Sequence, residues 1–125
     1  MSHLLYQGEN TMMLELITEL KYKIRSIKAS YQLIKLLEID TTGMNKEGKE
    51  YLQAYKYNSY IRKSRVKITS SSFEAKIRKP ESLEQLRRLK KDYQEAVKEI
   101  AQINGFHSVS VDLPDKYYYK MIGSN

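Results

Sequence analysis

Between Met13 and Ile34 the apolar residues Met13, Ile17, Leu20, Ile24, Ile27, Tyr31 and Ile34 step by alternating fours and threes without a break. A seam of that period fits an α-helix and no strand, because only a helix returns a side chain to one face every 3.5–3.6 residues. The spacing predicts a helix over residues 10–39, with Asn10 or Thr11 as its cap and Thr41-Thr42-Gly43 as its stop. At 1.5 Å per residue such a helix is about 45 Å long, more than a small domain needs, and Leu14, Leu16, Leu33, Leu36 and Leu37 widen its apolar surface beyond one stripe. A coiled-coil homodimer through this helix is therefore expected.

A second seam, Leu86, Leu89, Tyr93, Ala96, Ile100 and Ile103, marks another helix. Ser82-x-x-Gln85 reads as its capping box, and Asn104-Gly105-Phe106 as a C′ glycine followed by a residue that packs back on the last turn. A weaker repeat, Ala54, Tyr57, Ile61, Ser64 and Ile68, predicts a helix from about residue 45 to 67. For residues 69–79, loop plus one helical turn is favoured over a hairpin across Ser70-Ser71-Ser72, although Val66, Ile68, Phe73, Ala75 and Ile77 alternate with polar residues. Val109, Val111 and Leu113 alternate as well, and Pro114-Asp115 supplies a turn before Tyr117-Tyr118-Tyr119, so a small C-terminal hairpin is expected. The expected fold is mainly α: a single domain, residues 1–125, built as a three-helix bundle with heptad-spaced long helices and a small C-terminal β element. The alternative is α+β with a small antiparallel sheet. Both long seams are expected to be core, so that Asp at Ile24 or Ile100 would unfold the chain.

Charge is confined as sharply as hydrophobicity. The chain carries a net +7, and residues 44–79, with ten Lys/Arg against Glu47, Glu50 and Glu74, account for all of it. Tyr51, Tyr55, Tyr57 and Tyr60 are interleaved with these cations, the pairing of charge and stacking surface that nucleic-acid binders use. On one continuous helix Tyr51, Tyr55, Asn58, Arg62 and Arg65 share a face, while Lys49, Lys56, Tyr60, Lys63 and Lys67 form a second row. The expected nucleic-acid-binding residues are Tyr51, Tyr55, Lys56, Tyr60, Arg62, Lys63, Arg65 and Lys67. Against this stands the plainer reading, in which the tyrosines close the core and the lysines keep the surface solvated. Lys116 to Ile122 forms a second aromatic cluster, read as a strand that lays alternate rings on the helices or as a contact patch.

Several classes of chemistry find no support in the residues. There is no cysteine, so disulfides and thiolate metal sites are excluded, and a cytoplasmic protein is expected. No apolar run approaches the length of a membrane span, and no secretion signal, phosphate loop, dinucleotide fingerprint or nucleophile motif is present. His3 and His107 have no catalytic company, and Asp92, Glu95 and Glu99 are expected to pair with Arg88, Lys91 and Lys98 instead of a metal. The expectation is a non-enzymatic protein with no cofactor, metal or small-molecule substrate. Its Lys/Ile/Tyr-rich composition resembles that of small proteins of AT-rich bacterial genomes and their phages or plasmids. A small basic nucleic-acid-binding regulator or accessory factor of such an element is the first reading. The second is a protein-interaction module, such as a phage-encoded inhibitor of the anti-CRISPR type or an assembly factor, set on an acidic or nucleoprotein partner.

Overall fold

The computed structural model describes the backbone from residue 2 to 125 and side chains from Thr11 onward. It is an α+β fold: α1 (Ser2–Leu37), α2 (Lys49–Ile61), β1 (Arg65–Ile68), β2 (Ser72–Arg78), α3 (Leu83–Ile103), β3 (Ser108–Val111) and β4 (Tyr118–Ser124). The strands form one antiparallel sheet in the order β1-β2-β4-β3. The three-helix bundle is thus replaced by the α+β alternative. The helix expected over residues 45–67 ends at Ile61, and residues 65–78 form the hairpin in place of loop and helical turn. The β-branched Val66 and Ile68 suit a pleated strand, and Thr69 closes the connection by bonding Ser72 through both backbone and side chain.

Alternation along the strands turns Val66, Ile68, Phe73, Ala75, Ile77 and Met121 into one core with Leu33, Leu37, Tyr57, Leu89, Tyr93, Val97 and Ile100 of the helices. α3 meets its sequence-based expectation closely. Ser82 accepts a bond from the Gln85 N–H, Gly105 takes φ +86°, and Phe106 donates its N–H to the Ala101 carbonyl while its ring packs against Phe73. Its seam is buried against both α1 and the sheet, except for the half-buried Leu86 and the exposed Ile103. The C-terminal hairpin also forms, with Tyr119 stacked flat on Tyr93 at 4.4 Å, but β4 lies between β2 and β3. Gly123 makes that fit: a Cβ there would stand 3.3 Å from Phe73 Cβ and 3.2 Å from Val109 Cγ2.

α1 departs furthest from expectation. It begins at Ser2, ahead of the expected Asn10 or Thr11 cap, and it buries Ala29, Ser30, Leu33 and Leu37. The heptad seam faces away, with Ile24 56% exposed where Ile100 is 2% exposed. The reason lies in β1, whose outer edge has no partner strand. Ser30 Oγ accepts the Val66 N–H at 2.8 Å and Ser26 Oγ accepts the Ile68 N–H at 2.8 Å. Each hydroxyl in turn donates a hydrogen bond to the carbonyl four residues back, Ser26 and Tyr22 respectively, also at 2.8 Å. The periods match: four helical residues rise about 6.0 Å and two strand residues about 6.7 Å, so serines at i and i+4 meet alternate strand N–H groups. Asn58 fixes the next turn, clamping the N–H and the C=O of Ile39 with its amide at 2.8 and 3.0 Å.

Replacing Ser30 by Ala strands the buried Val66 N–H and is expected to cost about 1–3 kcal/mol. The exposed Ser59→Ala should cost less than about 0.5 kcal/mol. Urea titration reads both, and an unmoved midpoint for Ser30→Ala would show that the edge does not depend on this hydroxyl.

Candidate nucleic-acid interface

Among the described residues no other element covers the face of the sheet opposite the helices, and the register aligns its side chains into rows. Arg65 lies opposite Lys76, and Lys76 opposite Lys120, so three cations from three strands stand in one line. The next row holds Lys67, Glu74, Ile122 and Ser110; on the other side of the cation row Arg78 lies opposite Tyr118. Directly opposed like charges destabilise a sheet. The local acids relieve this only partly. Glu74 reaches Lys76 at 3.7 Å along its own strand, and Asp115 reaches Lys120 at 3.3 Å.

At the Arg78 end the cations meet aromatic rings. The Arg78 guanidinium stands 4.8 Å from the ring centre of Tyr117 and 5.4 Å from that of Tyr118, and Lys116 Nζ lies 5.3 Å from Tyr117. Tyr117 is half exposed. Asp115 shapes this end: its Oδ1 accepts the N–H groups of Tyr117 and Tyr118 at 2.9 and 3.1 Å. The Tyr117 N–H is the main cause that holds its carboxyl below the usual range, with Tyr118 and Lys120 acting in the same sense. Lys79 is fixed nearby, donating to the Asp115 carbonyl at 2.6 Å with its Nζ over Tyr119. The Ser64 hydroxyl accepts the Arg78 N–H, which ties the turn after α2 to the same end of the sheet.

The eight residues expected from the sequence do not form one surface. The single helix that would have aligned them stops at Ile61, leaving Tyr51, Tyr55, Lys56 and Tyr60 on α2, Arg62 and Lys63 in a turn, and Arg65 and Lys67 on β1. On α2 itself the Tyr51–Tyr55 pair, stacked at 6.5 Å, lies about 140° around the axis from Lys56 and Tyr60. Lys56 and Tyr60 line a groove between α2 and the start of α3, where Glu81 and Arg88 also stand. Burial, with Glu81 beside it, raises the Tyr60 phenol, and Lys63 Nζ lies 5.4 Å from the Tyr60 ring. Arg62 is held by Glu38 at 2.8 Å, which pushes its guanidinium further up. Arg65 Nη1 donates to the carbonyls of Arg62 and Ser64, closing the end of α2 while its side chain remains exposed on the sheet.

Lys76, Arg78, Tyr118 and Lys120 escaped the sequence-based list. The signal for Lys76 and Arg78 was the alternation Phe73, Ala75, Ile77 against Glu74, Lys76, Arg78, which the helical reading of that stretch set aside; Tyr118 and Lys120 lay in the Lys116 to Ile122 cluster, read as a strand against the helices or a contact patch. Among the described residues no group of three His, Asp or Glu is arranged to hold a metal ion. Asp92, Glu95 and Glu99 make no ion pair within 4.0 Å with Arg88, Lys91 or Lys98, contrary to expectation. His107 is exposed at the entry to β3, and the side chain of His3 lies outside the described residues. No helix among the described residues is long and apolar enough to cross a membrane. Compared with known protein families, curated proteins and solved structures, the chain matches none.

Because Lys76 faces a cation on either side and touches one exposed acid, Lys76→Gln is expected to stabilise the protein by about 0.2–1 kcal/mol at low ionic strength. The gain should fade in high salt, where exposed charges are screened. Thermal melts at two salt concentrations test this, and a destabilised Lys76→Gln would show that the row is not repulsive.

Proposed function

We propose that the protein binds nucleic acid on the open face of its sheet. The observation that carries this reading is the line Arg65, Lys76 and Lys120 across three strands, an arrangement that weakens the sheet in isolation and is relieved by a polyanion laid over it. Lys67 and Arg78 extend the line to either side, so phosphates of one backbone meet successive cations. Tyr117 and Tyr118, already paired with Arg78, offer rings on which an unpaired base stacks, which favours a single-stranded segment. Apart from the isolated Ile122 this face has few groups to read a base edge, so the binding follows the backbone more than the sequence. The role is that of a binder and not a catalyst.

Fluorescence anisotropy with labelled single-stranded and duplex oligonucleotides over a salt series tests the reading. Affinity should fall linearly on a log-log salt plot, and each of Arg65→Ala, Lys76→Ala and Lys120→Ala should flatten the slope by about 1. The triple variant should lose binding with its circular dichroism intact. Lys49→Ala/Lys56→Ala on α2 should leave the slope unchanged. Equal affinity of the triple variant and the unaltered protein, or binding lost only in the α2 variant, defeats the assignment to the sheet. Absence of any nucleic-acid binding leaves the acidic face of a protein as the partner of these cations.

A further inference from the structure

From Thr11 to Lys21 every side chain of α1 is exposed, so this stretch projects from the body of the protein as a helical arm. It is not a solvated arm. Met12, Met13, Leu14, Leu16, Ile17 and Leu20 make up six of its eleven residues and occupy about 200° of its circumference. Beyond the arm the seam continues over Ile24, Ile27 and Tyr31, about 110° around α1 from the serines that hold β1. The six apolar residues of the arm, together with Ile24, Ile27, Tyr31 and Leu36, are each 47–64% exposed. Together they leave on the order of 1,000 Å² of apolar surface in water, more than the few hundred Å² of an ordinary patch and as much as one partner gives to a standard interface.

We infer that this surface is the interface with a second copy of the chain, and that the two α1 helices pair antiparallel. A seam stepping by fours and threes is complementary to itself, which makes a second copy its natural occupant. Orientation follows from charge. The stretch from Thr11 to Leu20 carries Glu15 and Glu19 and no base, whereas residues 21–35 carry Lys21, Lys23, Arg25, Lys28 and Lys35 and no acid. Parallel pairing sets the five cations beside their own copies; antiparallel pairing sets each acidic arm beside the partner's basic stretch, and only Lys21 and Lys23, near the two-fold axis, meet themselves.

Shape agrees with charge. The arm is apolar over too wide an arc to be covered by one facing helix. Beside the seam of the basic stretch lies a shallow groove lined by Ile27, Tyr31 and Ile34 of α1 and by Arg65 and Val66 of β1. An antiparallel partner lays its arm along this groove, which covers a second flank of the arm. In that register Met13 layers on the partner's Tyr31, Ile17 on Ile27 and Leu20 on Ile24, an overlap of about 27 Å. The basic sheets then sit near opposite ends of the paired helices.

Sedimentation equilibrium and cross-linking test the proposal on the full chain. A mass of twice 14.7 kDa is expected at micromolar concentration, and Ile17→Asp/Ile27→Asp, both exposed within one chain, should give a monomer with its sheet intact. Because the chain contains no cysteine, introduced thiols report orientation without background. Met13→Cys/Tyr31→Cys should oxidise to a covalent dimer, and Met13→Cys alone should not, its two copies lying about 27 Å apart. A monomer that persists at high concentration overturns the proposal. So does ready cross-linking of the single Met13→Cys variant, which demands parallel helices.

Discussion

Two serine hydroxyls decide how this molecule is assembled. Ser26 and Ser30 take the N–H groups of β1 that no strand takes, so that a helix, in place of a fifth strand, closes one edge of the sheet. A helix can do this only by presenting small polar residues at i and i+4 and lying close against the strand. The inner face of α1 is accordingly Ser26, Ala29 and Ser30, with Leu33 and Leu37 where it reaches the main core. The apolar residues from Met12 to Leu20, with Ile24, Ile27 and Tyr31, are thereby turned outward. The unsatisfied strand edge and the uncovered heptad seam are two sides of one constraint, and the proposed antiparallel pairing of α1 would cover what satisfying the first leaves exposed.

The sheet distributes chemistry between its faces by the same logic. Phe73, Ala75, Ile77 and Met121 go to the helices, which sends Lys76, Arg78 and Lys120 to the open side. Alternation explains why polar residues stand there. It does not explain why Arg65, Lys76 and Lys120 stand directly opposed, since mixed signs would stabilise that row better. The polyanionic partner proposed above would relieve that repulsion. Were two chains paired through α1 as inferred above, each particle would carry two such faces, which would raise the local concentration of the second face once the first was bound to a long strand.

How much of this was legible in the sequence depended on whether the signal was local. α3 was read nearly whole because its cap at Ser82, its C′ glycine at Gly105 and its seam all lie within one segment. The hairpin of β1 and β2 was missed because Val66 to Ile77 supports two periods over short runs, and strand pairing draws its energy from neighbours distant in the chain. The charged stretch was recognised but laid on a helix that ends at Ile61. Arg65 and Lys67 remained in the candidate site, Arg62 went to Glu38, and Lys120 joined from more than fifty residues away.

By itself the sequence determined which segments have a helical period, where α3 begins and ends, and that all the net charge lies in residues 44–79. These follow from side-chain spacing and composition, which need no partner to be read. Only the tertiary structure decided which face of α1 turns inward and which cations stand together. A hydrophobic period says that a helix has an apolar face, and it does not say whether that face is covered by the same chain or by another. Here the hydrogen bonds of a strand edge outweighed the seam, because a buried N–H must find an acceptor within its own fold, while an apolar stripe can wait for a second copy.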